Sequence, residues 1–192
     1  MKKTTKIAYT EQEHRHRYAS WCASTAASRS PLCRFKVKQG KELIGQSGLQ
    51  KWGENWSKLP SKKTFDDEHK EMRDELVNNS KAIGIKGFTH GVAAKLINVY
   101  LKTIYQTSPC KLSPAEEGKK NALHPPVDDV LMQALIKKYK EEGNKGAEES
   151  WRGLRSARWS KFGSGQYEKA IKLVREETDE LWKIEEYFKG YQ

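Results

Sequence analysis

The chain has too little cysteine to be held together by disulfides or to carry a cysteine-built metal centre. Its three cysteines, Cys22, Cys33 and Cys110, are odd in number and far apart, whereas a secreted disulfide framework shows an even, regularly spaced set. They read as reduced thiols of a cytoplasmic protein. No C-x-x-C pair occurs, so a zinc ribbon or iron–sulfur cluster lacks its ligands. His14 and His16 lie in a charged run that suits solvent better than a metal. No metal site and no cofactor is expected.

Long apolar runs are also lacking. None approaches the roughly 20 residues of a membrane span, and the opening MKKTTKIAYTEQEHRHR has no apolar core of a secretory signal. A cytoplasmic protein with no membrane partner is expected. Negative charge is in short supply: 36 Lys and Arg stand against 25 Asp and Glu, a net charge of +11. Such an excess favours polyanions, so nucleic acid, DNA foremost, is the expected partner. Aromatic residues are plentiful, with six Trp, eight Tyr and five Phe, which excludes a disordered chain. A length of 192 residues can bury a core without staples, and residues 1–192 are expected to form one helical domain.

Hydrophobic periodicity predicts helices and no strand. Thr10 and Glu13 have capping-box spacing and open a first helix, Ala-rich over 17–28, in which Tyr18, Trp21 and Cys22 share a face. A second helix is predicted over 35–44, with Val37, Leu43 and Ile44 inward. Gly45, Gly48 and Gly53 then break the pattern. From Thr64 a charged helix runs to about residue 83; its apolar positions Phe65, Met72, Leu76 and Ile83 are sparse, so most of it should face water. Residues 92–105 form the most hydrophobic helix and the expected centre of the fold. Residues 106–124 show no periodicity and read as a loop or insertion. After Pro125-Pro126 a helix should bury Val127, Val130, Leu131, Leu135 and Tyr139 until Gly143 and Gly146 end it. A shorter helix covers 150–159, and a last one, 166–188, repeats Tyr167, Ala170, Ile171, Val174, Leu181, Ile184 and Phe188 inward. No heptad persists, so the expected architecture is a compact all-α domain and not a coiled coil.

Two constellations could carry chemistry. Lys95, Asn98 and Lys102 stand at i, i+3 and i+7 on the central helix, either as a functional polar stripe or as its solvated side. Asp128 follows two prolines and precedes an apolar run, so it suits an N-cap, with Asp129 as a first-turn carboxylate favoured by the helix dipole. The second constellation is Arg152, Arg155, Arg158, Trp159, Lys161 and Phe162. Arginines every third residue beside aromatic rings suit phosphates and exposed bases, or else a helix with a Trp core side and an Arg solvent side. Arg15 and Arg17 form a lesser cluster.

The run His90-Gly91-Val92-Ala93-Ala94-Lys95-Leu96-Ile97-Asn98-Val99, followed later by Pro126-Val127-Asp128, resembles the helix-hairpin-helix DNA glycosylases, the endonuclease III and 8-oxoguanine glycosylase superfamily. The resemblance covers residues 88–131. It implies a helix-hairpin-helix-like core, DNA contact at His90, Gly91 and Asn98, a nucleophilic lysine at Lys95 and an essential aspartate at Asp128. The segments Trp21-Cys22-Ala23-Ser24, 89–95 and 124–128 are also similar to a set of bacterial proteins, a likeness that implies no activity. Three readings stay open: a DNA glycosylase or lyase acting on the sugar C1′, a non-catalytic DNA- or RNA-binding module, and a helical protein-interaction domain.

Overall fold

A computed structural model of the chain describes residues 9–30, 32–105 and 111–188. Every regular element among them is helical: α1 (Glu11–Ser28), α2 (Val37–Gln46), α3 (Leu49–Trp52), α4 (Phe65–Ala82), α5 (His90–Tyr105), α6 (Pro114–Ala122), α7 (Asp129–Glu141), α8 (Lys145–Ala157) and α9 (Ser164–Glu177). Two 3-10 segments, Trp159–Lys161 and Leu181–Tyr187, complete the set. The all-α class is the one the periodicity predicts. No helix among the described residues is long and apolar enough to cross a membrane.

The core has two halves that meet at α5. On one side Leu43, Leu49, Phe65 and Leu76 pack with Leu96, Ile97 and Tyr100. On the other, Leu131, Leu135, Trp151, Tyr167 and Ile171 pack around Ala94. Trp159 touches both. Packing from two sides is what stabilises α5, and it explains why this helix is apolar nearly all round.

α1 lies against α5 through Ala19, Ala23 and Ala27, all fully buried. Small residues permit that close approach, so the large ones on α1 point away: Tyr18 and Trp21 are about half exposed. Thr10 caps α1, its Oγ1 accepting from the Glu13 N–H at 3.1 Å. His16, expected in solvent, instead shares a 2.8 Å hydrogen bond with the Tyr100 hydroxyl and ties α1 to α5.

Four expectations need correction. The segment 106–124 is not all loop, because α6 forms within it; Ser113 and Glu116 cap each other reciprocally and Pro114 occupies the first turn, where its missing N–H costs nothing. Residues 106–110, with Cys110, lie outside the described residues. The predicted last helix is two elements: at Thr178 the backbone turns extended, and the Thr178 hydroxyl accepts from the Glu180 N–H at 3.2 Å. Val130 is exposed, and the buried stripe of α7 runs instead through Leu131, Met132, Leu135, Ile136 and Tyr139. Gly143 does end α7 in a left-handed conformation, φ 70°, but Gly146 belongs to the first turn of α8, which is longer than predicted.

Candidate functional site

Lys95 projects from α5 toward the start of α7, where Pro125 and Pro126 keep the chain extended until Asp128 caps the helix. One carboxylate oxygen of Asp128, Oδ1, accepts from the Val130 and Leu131 N–H groups at 3.0 and 3.1 Å. The other, Oδ2, accepts from Lys95 Nζ at 2.9 Å. The two residues, 33 positions apart in sequence, are thus in direct contact, with side chains 13 % and 20 % exposed. Lys95 Nζ also lies 4.6 Å from the centre of the Trp159 ring. Lys95 is thus held between a carboxylate and a ring face, as a hydrogen-bond donor and in a cation–π contact.

Asp129, the next residue, holds a second cation. Its two oxygens accept from Arg155 Nε at 2.8 Å and Nη2 at 3.4 Å, a two-pronged contact. The hydrogen bond from Arg155 depresses the Asp129 carboxyl pKa. The first residues of α7 therefore act as a partition with a basic group on either side.

On the Arg155 side lies a cleft of about 630 Å³ walled by Arg152, Arg155, Arg158, Trp159, Asp129 and Ile136. The arginines do not form one helical ridge, because α8 stops at Ala157. Arg158 adopts φ 63°, ψ 117°, a left-handed backbone that only glycine accepts without strain. This turn sends Trp159 back against α5. Arg152 pairs with Glu148 at 2.7 Å and Arg155 with Asp129. Arg158 is exposed and forms no ion pair among the described residues. Lys161, also exposed, follows on the 3-10 turn.

On the Lys95 side lies a smaller pocket of about 240 Å³, bordered by Lys95, Asp128, Lys102, Glu185, Pro126 and Phe188. Lys102 donates to Glu185, a carboxylate only 5 % exposed. Burial pushes the Glu185 pKa up, against the pull of Lys102. Glu185 is a residue that sequence reading passed over.

Three other predicted site residues point elsewhere. Asn98 is 2 % exposed, so the expected stripe of Lys95, Asn98 and Lys102 is not a solvated face. Its amide donates to the Pro125 carbonyl and the Tyr167 hydroxyl, both at 2.9 Å, and its oxygen accepts from His69 Nε2 at 2.8 Å. Gly91 is buried under the 3-10 turn: its N–H donates to the Phe162 carbonyl at 3.1 Å, and a Cβ there would lie 1.9 Å from the Trp159 carbonyl oxygen. The amide that the hairpin resemblance assigns to phosphate is thus engaged inside the fold. His90 sits half-buried, 3.7 Å from Asp74, and burial lowers its pKa.

Asn98 belongs to a buried polar chain. The hydrogen bonds are mutually consistent when both imidazoles carry their proton on Nε2. His69 then donates to Asn98, Asn98 to Tyr167, Tyr167 to His124 Nδ1 at 3.0 Å, and His124 Nε2 to Asp66 at 3.0 Å. Arg175 closes the chain on Asp66 at the surface. Burial drives His69 well below the ordinary imidazole pKa and His124 below it. Burial works against the Asp66 charge, but hydrogen bonds from His124 and Arg175 prevail and hold its carboxyl well below the usual range. Beside the chain, the Arg73 guanidinium lies 4.5 Å over the Tyr167 ring. This network joins α4, α5 and α9 beneath the site, with His69 Nδ1 left buried and without a hydrogen-bond partner among the described residues.

No family model, curated protein or solved structure matches the chain. Chemistry must be inferred from the geometry alone. Among the described residues, no group of three or more His, Cys, Asp or Glu side chains is placed to hold a metal ion.

Proposed function

We propose that this protein binds nucleic acid, with DNA as the expected form, through the cleft of Arg152, Arg155, Arg158 and Trp159. The observation that carries this reading is Arg158. It is a cation without an ion pair among the described residues, held in a strained backbone turn at the mouth of a cleft with an indole on its wall. Strained residues persist where the surrounding structure over-determines them, commonly at ligand clamps. The cleft's own carboxylates temper the charge: Glu148 and Asp129 neutralise Arg152 and Arg155, leaving Arg158 and the nearby Lys161 to meet phosphates.

Each phosphate contact on duplex DNA contributes about 0.9 to the slope of log affinity against log salt. Arg158→Ala is therefore expected to flatten that slope by about 0.9 and to weaken all sequences alike. Arg152→Ala and Arg155→Ala should each change it less, since their carboxylates would have to let go first. Unchanged affinity and slope in an Arg158→Ala, Lys161→Ala double variant would remove this reading.

A second reading, a DNA glycosylase or lyase, is favoured by one specific observation: Lys95 and Asp128 meet at 2.9 Å on the rim of a pocket. In that reaction Lys95 Nζ bonds to the sugar C1′ as the bond to the base breaks, and Asp128 stabilises the positive charge on the sugar. Nζ donates to Asp128, so a proton must leave it before its lone pair can attack. Borohydride trapping on a panel of damaged duplexes tests it. A covalent complex that forms with the natural protein and is lost in Lys95→Gln supports catalysis; absence of trapping on every duplex, with binding intact, leaves the binding function alone.

A further inference from the structure

We infer that the outer face of α1 is a stacking platform for unpaired nucleotides, continuing the track that begins at the Arg158 cleft; this rests on the nucleic-acid reading. Among the described residues, the exposed large hydrophobic side chains are Tyr9, Tyr18, Trp21, Leu32 and Val130, and three of these five belong to α1 or the residues just before it. Tyr18 is 56 % and Trp21 48 % exposed, with ring centroids 6.0 Å apart and planes 31° from each other. The helix thus places its small residues inward and its large rings outward, the reverse of what burial favours.

The chemistry of this face points to a polyanion. After Glu13 no acidic residue occurs in α1, while Arg15 and Arg29 are exposed and form no ion pair among the described residues. Aromatic rings beside unpaired guanidinium groups are the recurrent means of holding a single strand: every base has a π-face, and the cations follow the backbone. Position decides between this partner and an anionic membrane. Tyr18, Cys22 and Ala26 stand at i, i+4 and i+8 along one flank of α1, and Ala26 borders the pocket of Lys95, Asp128 and Lys102. At a rise of 1.5 Å per residue, Trp21 stands about 7.5 Å and Tyr18 about 12 Å along the helix from that pocket. A strand that leaves the Arg158–Trp159 cleft and crosses the start of α7 past Lys95 would meet Trp21 and Tyr18 along α1.

The test compares a labelled oligothymidylate with a blunt duplex of the same length, by fluorescence anisotropy. Stacking of one base on an aromatic ring corresponds to a factor of about 5 to 150 in affinity. The Tyr18→Ala, Trp21→Ala double variant should bind oligothymidylate at least about tenfold more weakly, with duplex affinity changed by less than about twofold. Trp21→Phe, which keeps a ring, should retain most of the single-strand affinity. Equal single-strand affinity in the double variant and the natural protein overturns the platform while leaving the cleft standing. Failure of the natural protein to bind either oligonucleotide overturns both. Loss of binding to phosphatidylserine vesicles in the double variant, with oligothymidylate binding unchanged, also overturns it and assigns the face to a membrane surface.

Discussion

Asp128 performs two tasks with two oxygens, and substitution can separate them. Oδ1 caps α7 and Oδ2 holds Lys95. In Asp128→Asn the remaining oxygen can still accept from Val130 and Leu131, and Asn ranks with Asp as an N-cap, so the capping loss is a few tenths of a kcal/mol at most. The amide NH2 then faces the Lys95 ammonium, donor against donor. An exposed ion pair is worth about 0–1 kcal/mol, and breaking a fully buried one costs about 3–5. Side chains 13 % and 20 % exposed fall between, so Asp128→Asn should cost about 1–2 kcal/mol. Asp128→Ala loses the cap as well, about 1 kcal/mol more. Lys95→Met keeps the apolar stem and leaves Asp128 with its two backbone donors, so it should cost less than Asp128→Asn. The double variant should cost less than the sum of the singles by about 1 kcal/mol, the coupling between contacting residues. Urea unfolding at pH 7 measures these four variants against the natural protein, compared at constant m-value. A harmless Asp128→Asn, an Asp128→Ala costing only the cap, and zero coupling would show that the 2.9 Å contact contributes nothing. Any loss of activity in Asp128→Asn must also exceed what this stability loss explains before it counts as chemistry.

The buried histidines predict an acid-side weakness. Their pKa values in the fold lie below the ordinary 6.5, so as pH falls through 6.5 the unfolded chain takes up protons that the folded chain refuses, and stability declines. Asp66 acts in the same direction below about its ordinary 3.8, since its carboxylate is favoured in the fold. The urea midpoint should therefore drop between pH 7 and 5; a midpoint that rises over this range contradicts burial as the dominant influence. Gly91→Ala gains up to about 1 kcal/mol of helix propensity but drives a methyl group into the Trp159 carbonyl. It should lower stability by about 2 kcal/mol net, whereas Gly118→Ala, which meets nothing within 4 Å in α6, should raise it by up to about 1. Thermal midpoints that move the same way in both variants would refute the close-packing account of Gly91.

The elements were legible where a single force sets them. Thr10 and Glu13 mark the start of α1, and the density of apolar residues in α5 marks the helix that is packed from both sides. Elsewhere the apolar pattern alone misleads. Phe65, His69, Met72, Arg73, Leu76 and Ser80 all lie on the buried face of α4. Their spacing is helical throughout, but only half are apolar, so the helix looks solvated unless polar residues in phase are counted. α6 shows the converse: it has little buried face, and its evidence is a cap, Ser113 with Glu116. The break at Thr178 is invisible to periodicity, because Tyr167, Ala170, Ile171 and Val174 before it, and Leu181 and Ile184 after it, pack into the same core. Phase is preserved across the break, so nothing in the pattern marks it.

The same reasoning explains what could be known of the site. The proximity of Lys95 and Asp128 was an expectation from short motifs, and the fold brings them into contact. Glu148 stands four residues before Arg152, a spacing that marks that pair, but the partner of Arg155 was not readable, because Asp129 reaches it across 26 residues and only the docking of α8 on α7 creates that pair. Charge counted along the sequence therefore overstates the cation available to a ligand. Spacing also suggested a regular arginine ridge, whereas the strained turn at Arg158 removes the third member from the helix. That departure has a structural consequence. A third arginine kept on α8 would continue a face whose neighbours are already neutralised. Displaced by the turn, it stands apart from Asp129 and Glu148, while Trp159 is carried onto the ammonium of Lys95. The strain at one residue thus links the arginine-walled cleft to the Lys95–Asp128 pair, and it is the feature of this surface that stability alone does not account for.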